Sequence, residues 1–279
     1  MKITELNFNQ FDELTSQFTD KQIAERFESN KNYVGYCRRK LGVKSFGEKH
    51  NIVVGVKGIS NVSNRKHHFN ERFFQVIDSE VKAYALGLMM TDGHITKSLH
   101  RARLHLTEDD GYVLEAIAKA ADFTGELLID RPKEGSRQVK NMKILNFNST
   151  LLVKDLLALG LTTSKATTLA LPKIDPSLEN HLIRGIIDGD GGFMKRDEIL
   201  CISGRKELLE DIIDCFARHG FSKVGRLRTD KTIYRLRMPR YAIPAIDWVY
   251  GTNPTIFLRR KYNRYQTRKS FESSWTTKY

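Results

Sequence analysis

Two short stretches of the chain could carry hydrolytic chemistry together. Ala85-Leu86-Gly87-Leu88-Met89-Met90-Thr91-Asp92-Gly93 and Ile183-Arg184-Gly185-Ile186-Ile187-Asp188-Gly189-Asp190-Gly191 share one plan. Each is a mostly apolar segment with small residues four apart (Gly87 and Thr91; Gly185 and Gly189), closed by Asp-Gly. Small residues at i and i+4 occupy one helix face, so two such helices can bring their backbones close, with Gly87, Gly185 and Gly189 at the contact. Asp92 and Asp190 then fall together at two helix C-termini, where each carboxylate meets the negative end of a helix dipole and the charge of the other. A divalent cation relieves both problems, and hard oxygen ligands suit Mg²⁺, or Mn²⁺ in its place. The glycine after each aspartate suits the left-handed position that ends many helices. One copy alone reads as an apolar helix with a C-cap glycine. Two copies in the same register, 98 residues apart from position 92 to 190, read as a designed pair.

These paired stretches resemble the two motifs of the LAGLIDADG homing endonucleases. Phe73-Phe74-Gln75-Val76-Ile77-Asp78-Ser79-Glu80-Val81-Lys82-Ala83-Tyr84 resembles the approach to the first motif, and the likeness runs over roughly residues 70 to 265. The resemblance implies a single-chain, two-motif enzyme that makes a metal-dependent double-strand break in a long DNA target. It would act as a monomer with pseudo-twofold symmetry, its gene tied to intron or intein mobility. Matched residue by residue, Asp92 and Asp190 would hold the metals, with Thr91 and Gly191 beside them. The first motif departs from the pattern at Met90, where the family's earlier acid would stand; the second keeps that acid as Asp188. Lys165 and Lys261, 96 residues apart, are the expected basic helpers at the scissile phosphates. Two rivals use the same features: an RNA maturase that helps an intron splice, and a non-catalytic DNA-binding transcription regulator. Retention of both aspartates favours cutting.

Composition agrees with a polyanionic partner. Lys and Arg number 46 against 33 Asp and Glu, a formal charge of +13, and such a balance marks proteins that meet nucleic acid or an anionic surface. No apolar run approaches the roughly 20 residues that span a bilayer, and Met1 to Gln10 has no apolar signal core. The expectation is a cytoplasmic or nucleoid-associated protein. Cys37, Cys201 and Cys215 have no paired spacing and read as reduced thiols.

The elements that must position these residues are legible in outline. Residues 1–45 read as a helix-turn-helix: Thr19 caps a helix with Ile23, Ala24 and Phe27 inward, and a second helix runs about Lys31 to Leu41 and stops at Gly42. Its outer face offers Lys31, Arg39 and Lys40 to DNA. Residues 46–70 read as a basic linker. Residues 71–172 and 173–279 read as two αββαββα repeats of an α+β fold with curved antiparallel DNA-binding sheets, the second followed by a basic tail. Alternation of basic with apolar residues marks half-buried strands. It offers Arg101, Arg103, His105, Lys140 and Lys143 in the first repeat and Arg226, Arg228, Arg235 and Arg237 in the second.

Overall fold

Capping chemistry sets the first three helices. The structure, a computed structural model, describes residues 3–45, 49, 67–135, 138–163, 170–194, 198–230 and 233–276. The chain divides into two units, residues 1–61 and 62–279. In the first, Asn7 and Thr19 each close a capping box, with Gln10 and Gln22 three residues on, and open α1 (Phe8–Gln17) and α2 (Asp20–Arg26). Asn30 caps α3 (Lys31–Lys40), which ends at Gly42 with φ 73°. Phe11, Ile23, Ala24, Val34 and Val43 form the core. The helical pair α2–α3 matches the sequence reading, while α1 adds a helix that reading left out. Lys31, Arg39 and Lys40 are exposed on α3, beside the stacked rings of Tyr33 and Tyr36. Most of the 46–70 linker lies outside the described residues.

From Glu80 the chain runs one order of elements twice. The first pass is α4 (Glu80–Thr91), β1 (Gly93–Ile95), β2 (Ala102–Thr107), α5 (Gly111–Ala120), β3 (Leu128–Asp130), β4 (Met142–Phe147) and α6 (Thr150–Ala158). The second is α7 (Glu179–Asp190), β5 (Gly191–Phe193), β6 (Glu198–Gly204), α8 (Lys206–Arg218), β7 (Arg226–Asp230), β8 (Ile233–Pro239) and α9 (Ile243–Tyr250). Each pass builds a four-stranded antiparallel sheet, ordered β1-β2-β4-β3 and β5-β6-β8-β7. This is the αββαββα duplication expected from the sequence.

The strands owe their form to alternation. Along β2, Ala102, Leu104 and Leu106 are buried, and Arg103, His105 and Thr107 face outward. A single apolar core runs under both sheets and around α4 and α7. Gly160, Gly220 and Gly251 end α6, α8 and α9 in the left-handed region, at φ 89°, 88° and 65°.

Two expectations are corrected here. The basic C-terminal segment is not a tail but a helix, α10 (Arg259–Thr276). Lys261 and Tyr265 of this helix, and Leu258 just before it, are buried at helical spacing. The glycines after the motif aspartates are not left-handed caps: Gly191 has φ −84°, and Gly93 also lacks a positive φ. A strand follows each helix at once, and the requirement is closeness. A Cβ on Gly93 would stand 2.2 Å from the Met89 carbonyl oxygen, and one on Gly191 would stand 2.5 Å from that of Ile187. No helix among the described residues is long and apolar enough to cross a membrane.

Candidate metal centre and nucleic-acid interface

The small-residue register on α4 and α7 does what its spacing implies. A Cβ on Gly87 would lie 2.3 Å from the Leu182 carbonyl oxygen, and one on Gly185 would lie 2.2 Å from that of Tyr84. Backbone therefore packs on backbone. One turn further on, a Cβ on Gly189 would meet Thr91 Oγ1 at 1.9 Å and Asp92 Oδ2 at 3.0 Å. The Asp92 carboxylate thus reaches the end of the second helix, over the residue that precedes Asp190. Asp92 is half-buried and Asp190 exposed.

Lys261 closes the same end. Its buried ammonium donates to the carbonyls of Ile187 at 3.0 Å, Gly189 at 3.0 Å and Gly191 at 2.6 Å. It therefore offsets the negative terminus of α7 from inside. Burial pushes this ammonium down to about 8, while the charges of Asp188, Asp92 and Asp190 pull it back up. The lysine thus sits in the field of both motif aspartates. Three carbonyls thus take the three N–H donors of Lys261. Lys165 lies outside the described residues. Of the other two expected metal neighbours, the Thr91 hydroxyl turns back to the Gly87 and Leu88 carbonyls, at 3.3 and 3.2 Å, and the Gly191 carbonyl is held by Lys261.

Asp188, two residues before Asp190, has a different environment. It is buried and accepts from Tyr84 Oη at 2.8 Å, Tyr250 Oη at 3.0 Å and Leu258 N at 2.7 Å. Burial raises its carboxyl pKa from the ordinary value even against these three donors. At the matching place Met90 is buried among apolar residues. One turn back, the buried Arg184 donates to the Ile256 and Val249 carbonyls, both at 3.0 Å, and to Glu80 at the start of α4. Arg260 reaches Asp110 at 2.7 Å, and Tyr112 takes Arg259 N at 2.6 Å while donating to the Phe257 carbonyl at 3.0 Å. Residues 256–261 therefore clamp the two repeats together. None of these partners could be paired from sequence, because they lie 62 to 150 positions apart.

The uncovered sheet faces begin at the aspartates. Side chains alternate along a strand, so His94 and Gly192, two residues past Asp92 and Asp190, lie on the face opposite the core. The first row is His94, Arg103 and Asn146. In the second sheet it is Gly192, Cys201, Arg237 and Arg226, with Ser203, Arg235 and Arg228 next. Arg226, Arg228, Arg235 and Arg237 thus form a square on one face. In the first sheet Arg103 and His105 share the outer face, and Arg101 holds Asn148 at 2.6 Å beside it.

Two other expected contacts lie off the outer strand face. Lys143 has the parity of the buried Leu145 and Phe147 and turns toward α5. There its Nζ pairs with Glu115 at 2.6 Å, and a Cβ on Gly111 would strike its Cδ at 2.2 Å. Lys140 lies outside the strand and pairs with Asp109 at 2.8 Å.

Away from this end, Glu179 at the start of α7 gathers Cys215 Sγ at 3.2 Å, Arg218 at 2.7 Å and His219 at 2.8 Å. Burial, then the bond to Glu179, pushes the Cys215 thiol up to about 12, so it stays protonated. Desolvation raises Glu179, but its three donors win and hold it below 4.5. This cluster is a filled hydrogen-bond network with its own cation.

No protein-family model matches the chain, and no curated relative matches it. Several solved structures are similar. The LAGLIDADG meganuclease I-AabMI bound to uncleaved DNA is 14% identical, with 72% of this chain and 93% of that one covered and a TM-score of 0.48. The homing endonuclease I-WcaI bound to its DNA recognition sequence is 14% identical over 75% of this chain and 96% of that one, at 0.46. The N-terminal LAGLIDADG domain of DUF199/WhiA is 15% identical over 66% and 90%, at 0.41. The fold is two αββαββα repeats joined through a pair of glycine-packed helices.

The aspartate pair fits a hard divalent cation by donor type and by field. Asp92 and Asp190 close two helices that pack backbone to backbone, and the buried Lys261 ammonium, whose donors are engaged by three carbonyls, feels the charge of both.

Proposed function

We propose that the protein is a site-specific, divalent-metal-dependent DNA endonuclease that makes a double-strand break in a long target as a monomer. The observation that carries this is the meeting of Asp92 with the end of α7 at the head of two outward sheet faces, one of them bearing four arginines. Asp92 and Asp190 would hold a divalent ion, which would supply an activated water and charge stabilisation at the phosphate. The chain's own residues do the rest. Arg226, Arg228, Arg235 and Arg237 suit guanine edges and phosphates in the major groove, and Arg101, Arg103 and His105 serve the other half-site. Lys261 holds the end of α7, and so Asp190, in place. Lys31, Arg39 and Lys40 of the N-terminal unit add backbone contacts and lengthen the footprint. Both repeats lie in one chain, so one molecule covers an asymmetric site.

A duplex selected for binding from a randomised pool tests this reading. It should be cut on both strands with Mg²⁺ or Mn²⁺ and stay intact with EDTA. Tight binding without cleavage under either metal would instead make the protein a DNA-binding regulator.

A further inference from the structure

A cavity of about 340 Å³ lies beside the first sheet, where β4 runs on past the end of β3. Pairing with β3 stops at Ile144, so Asn146 and Asn148 line the cavity from the bare end of the strand. The opposite wall is aromatic. Phe69 and Phe123 pack on Phe147 with centroids at 5.2 and 6.0 Å, and His67 lies 6.4 Å from Phe123. Gly125 permits this closeness, since a Cβ there would meet Phe123 at 2.7 Å and His67 at 3.0 Å. Glu126 and Leu128 complete the lining.

The polar groups are set for a ligand with a hydrogen-bonding edge. Asn146 Oδ1 is buried with no hydrogen-bond partner among the described residues, and so is Nε of Arg103, its cross-strand neighbour. Leaving such groups unsatisfied is costly. Asn148 spends its carbonyl oxygen on Arg101 and keeps its amide N–H groups for the cavity. Glu126 repels a phosphate and accepts from an amino group. Aromatic rings on one side, carboxamides on the other and an acid at the mouth together describe a flat heterocycle with donors and acceptors along one edge. A carboxamide pairs with the N6 and N7 edge of adenine, and aromatic side chains stack on unpaired bases.

We propose that this cavity binds one unstacked adenine-type nucleobase. The base could come from a bound polynucleotide or from a free nucleotide; the chemistry is the same. The site uses neither Asp92 nor Asp190, so it stands or falls apart from the cleavage reading.

Saturation-transfer NMR on the full chain tests it with three probes: dAMP, the trinucleotide d(TAT) and inorganic phosphate. High salt strips phosphate-backbone contacts. The adenine H2 and H8 signals should still receive saturation there, and inorganic phosphate should not compete. A stronger response from d(TAT) than from dAMP identifies a polynucleotide's base as the source, and the reverse identifies a free nucleotide. Asn146→Leu should weaken binding about tenfold, the loss expected for one base-edge pair. Asn148→Ala, at an exposed position that keeps the fold, should weaken it in the same direction. No transfer to the adenine ring from either nucleotide, or equal transfer in wild type and both variants, would overturn the proposal.

Discussion

Arg237 of β8 stands directly across from Arg226 of β7 on the uncovered face of the second sheet, with Arg235 and Arg228 opposed in the next row but one. Like charges in directly opposed positions cost stability. On the proposed function, a bound polyanion offsets that cost. Arg226→Thr should therefore leave the free protein as stable or up to about 0.5 kcal/mol more stable. The same change should weaken DNA binding and flatten the log K against log salt slope by roughly 0.9 if Arg226 meets one phosphate. Urea denaturation and a salt titration on the same variant decide it. Parallel loss of stability and affinity would assign Arg226 a structural role instead.

The helix pair gives a second expectation. Gly185→Ala places a Cβ 2.2 Å from the Tyr84 carbonyl, which only backbone movement can relieve. The cost should be about 1–3 kcal/mol or more, and cleavage should fall further than stability because Asp92 and Asp190 part company. Gly192→Ala is the internal control for stability, since nothing lies within 4 Å of its Cβ. Equal melting temperatures for the two variants would contradict the packing.

Two aspartates two residues apart should behave differently. Asp188→Asn keeps an acceptor for Tyr84 and Leu258 N and can turn its amide toward the Tyr250 hydroxyl. It should cost about 1 kcal/mol and leave cleavage in place, whereas Asp188→Ala strands three buried donors and should cost about 3 kcal/mol or more. Chemical denaturation read beside cleavage rates separates the two. Loss of cleavage in a fully folded Asp188→Asn protein would move Asp188 into the chemistry.

Stability should also fall in acid for an identifiable reason. Glu80 and Glu179 begin the two motif helices, and each is held below its ordinary 4.5 despite desolvation. Thr255 and Arg184 lower Glu80; His219, Arg218 and Cys215 lower Glu179. A depressed carboxyl pKa adds stability that is fully present above the unfolded value and is lost as pH falls through the folded one. Unfolding free energy should therefore decline below about pH 4.5, and the paired substitutions Glu80→Gln and Glu179→Gln should flatten that decline. An unchanged acid limb in the double variant would place the effect elsewhere.

Much of this was legible in the chain because it is periodic. Small residues at i and i+4 marked the helix contact, and basic–apolar alternation marked the arginines of the second sheet, though not their pairing across strands. The inward phase of Lys143 was harder to read: it shares parity with Leu145 and Phe147, but the adjacent apolar pair Ile144-Leu145 blurs the alternation. The tail that proved to be α10 hid a similar stripe, since Leu258, Lys261 and Tyr265 sit at helical spacing among many charges. Gly93 and Gly191 suited a left-handed cap by type, but an immediate strand made room, not handedness, the deciding need. Arg184 with Glu80, and Arg260 with Asp110, could not be paired without the fold, because the contacts cross the two repeats.

On the proposed function, Asp92 and Asp190 together hold the metal that cuts DNA. The most direct measurement compares wild type, Asp92→Asn and Asp190→Asn on one selected duplex, following binding and Mn²⁺-dependent cleavage side by side. Both variants should bind within a few-fold of wild type and cut neither strand at a measurable rate. Full double-strand cleavage by either variant would contradict the account.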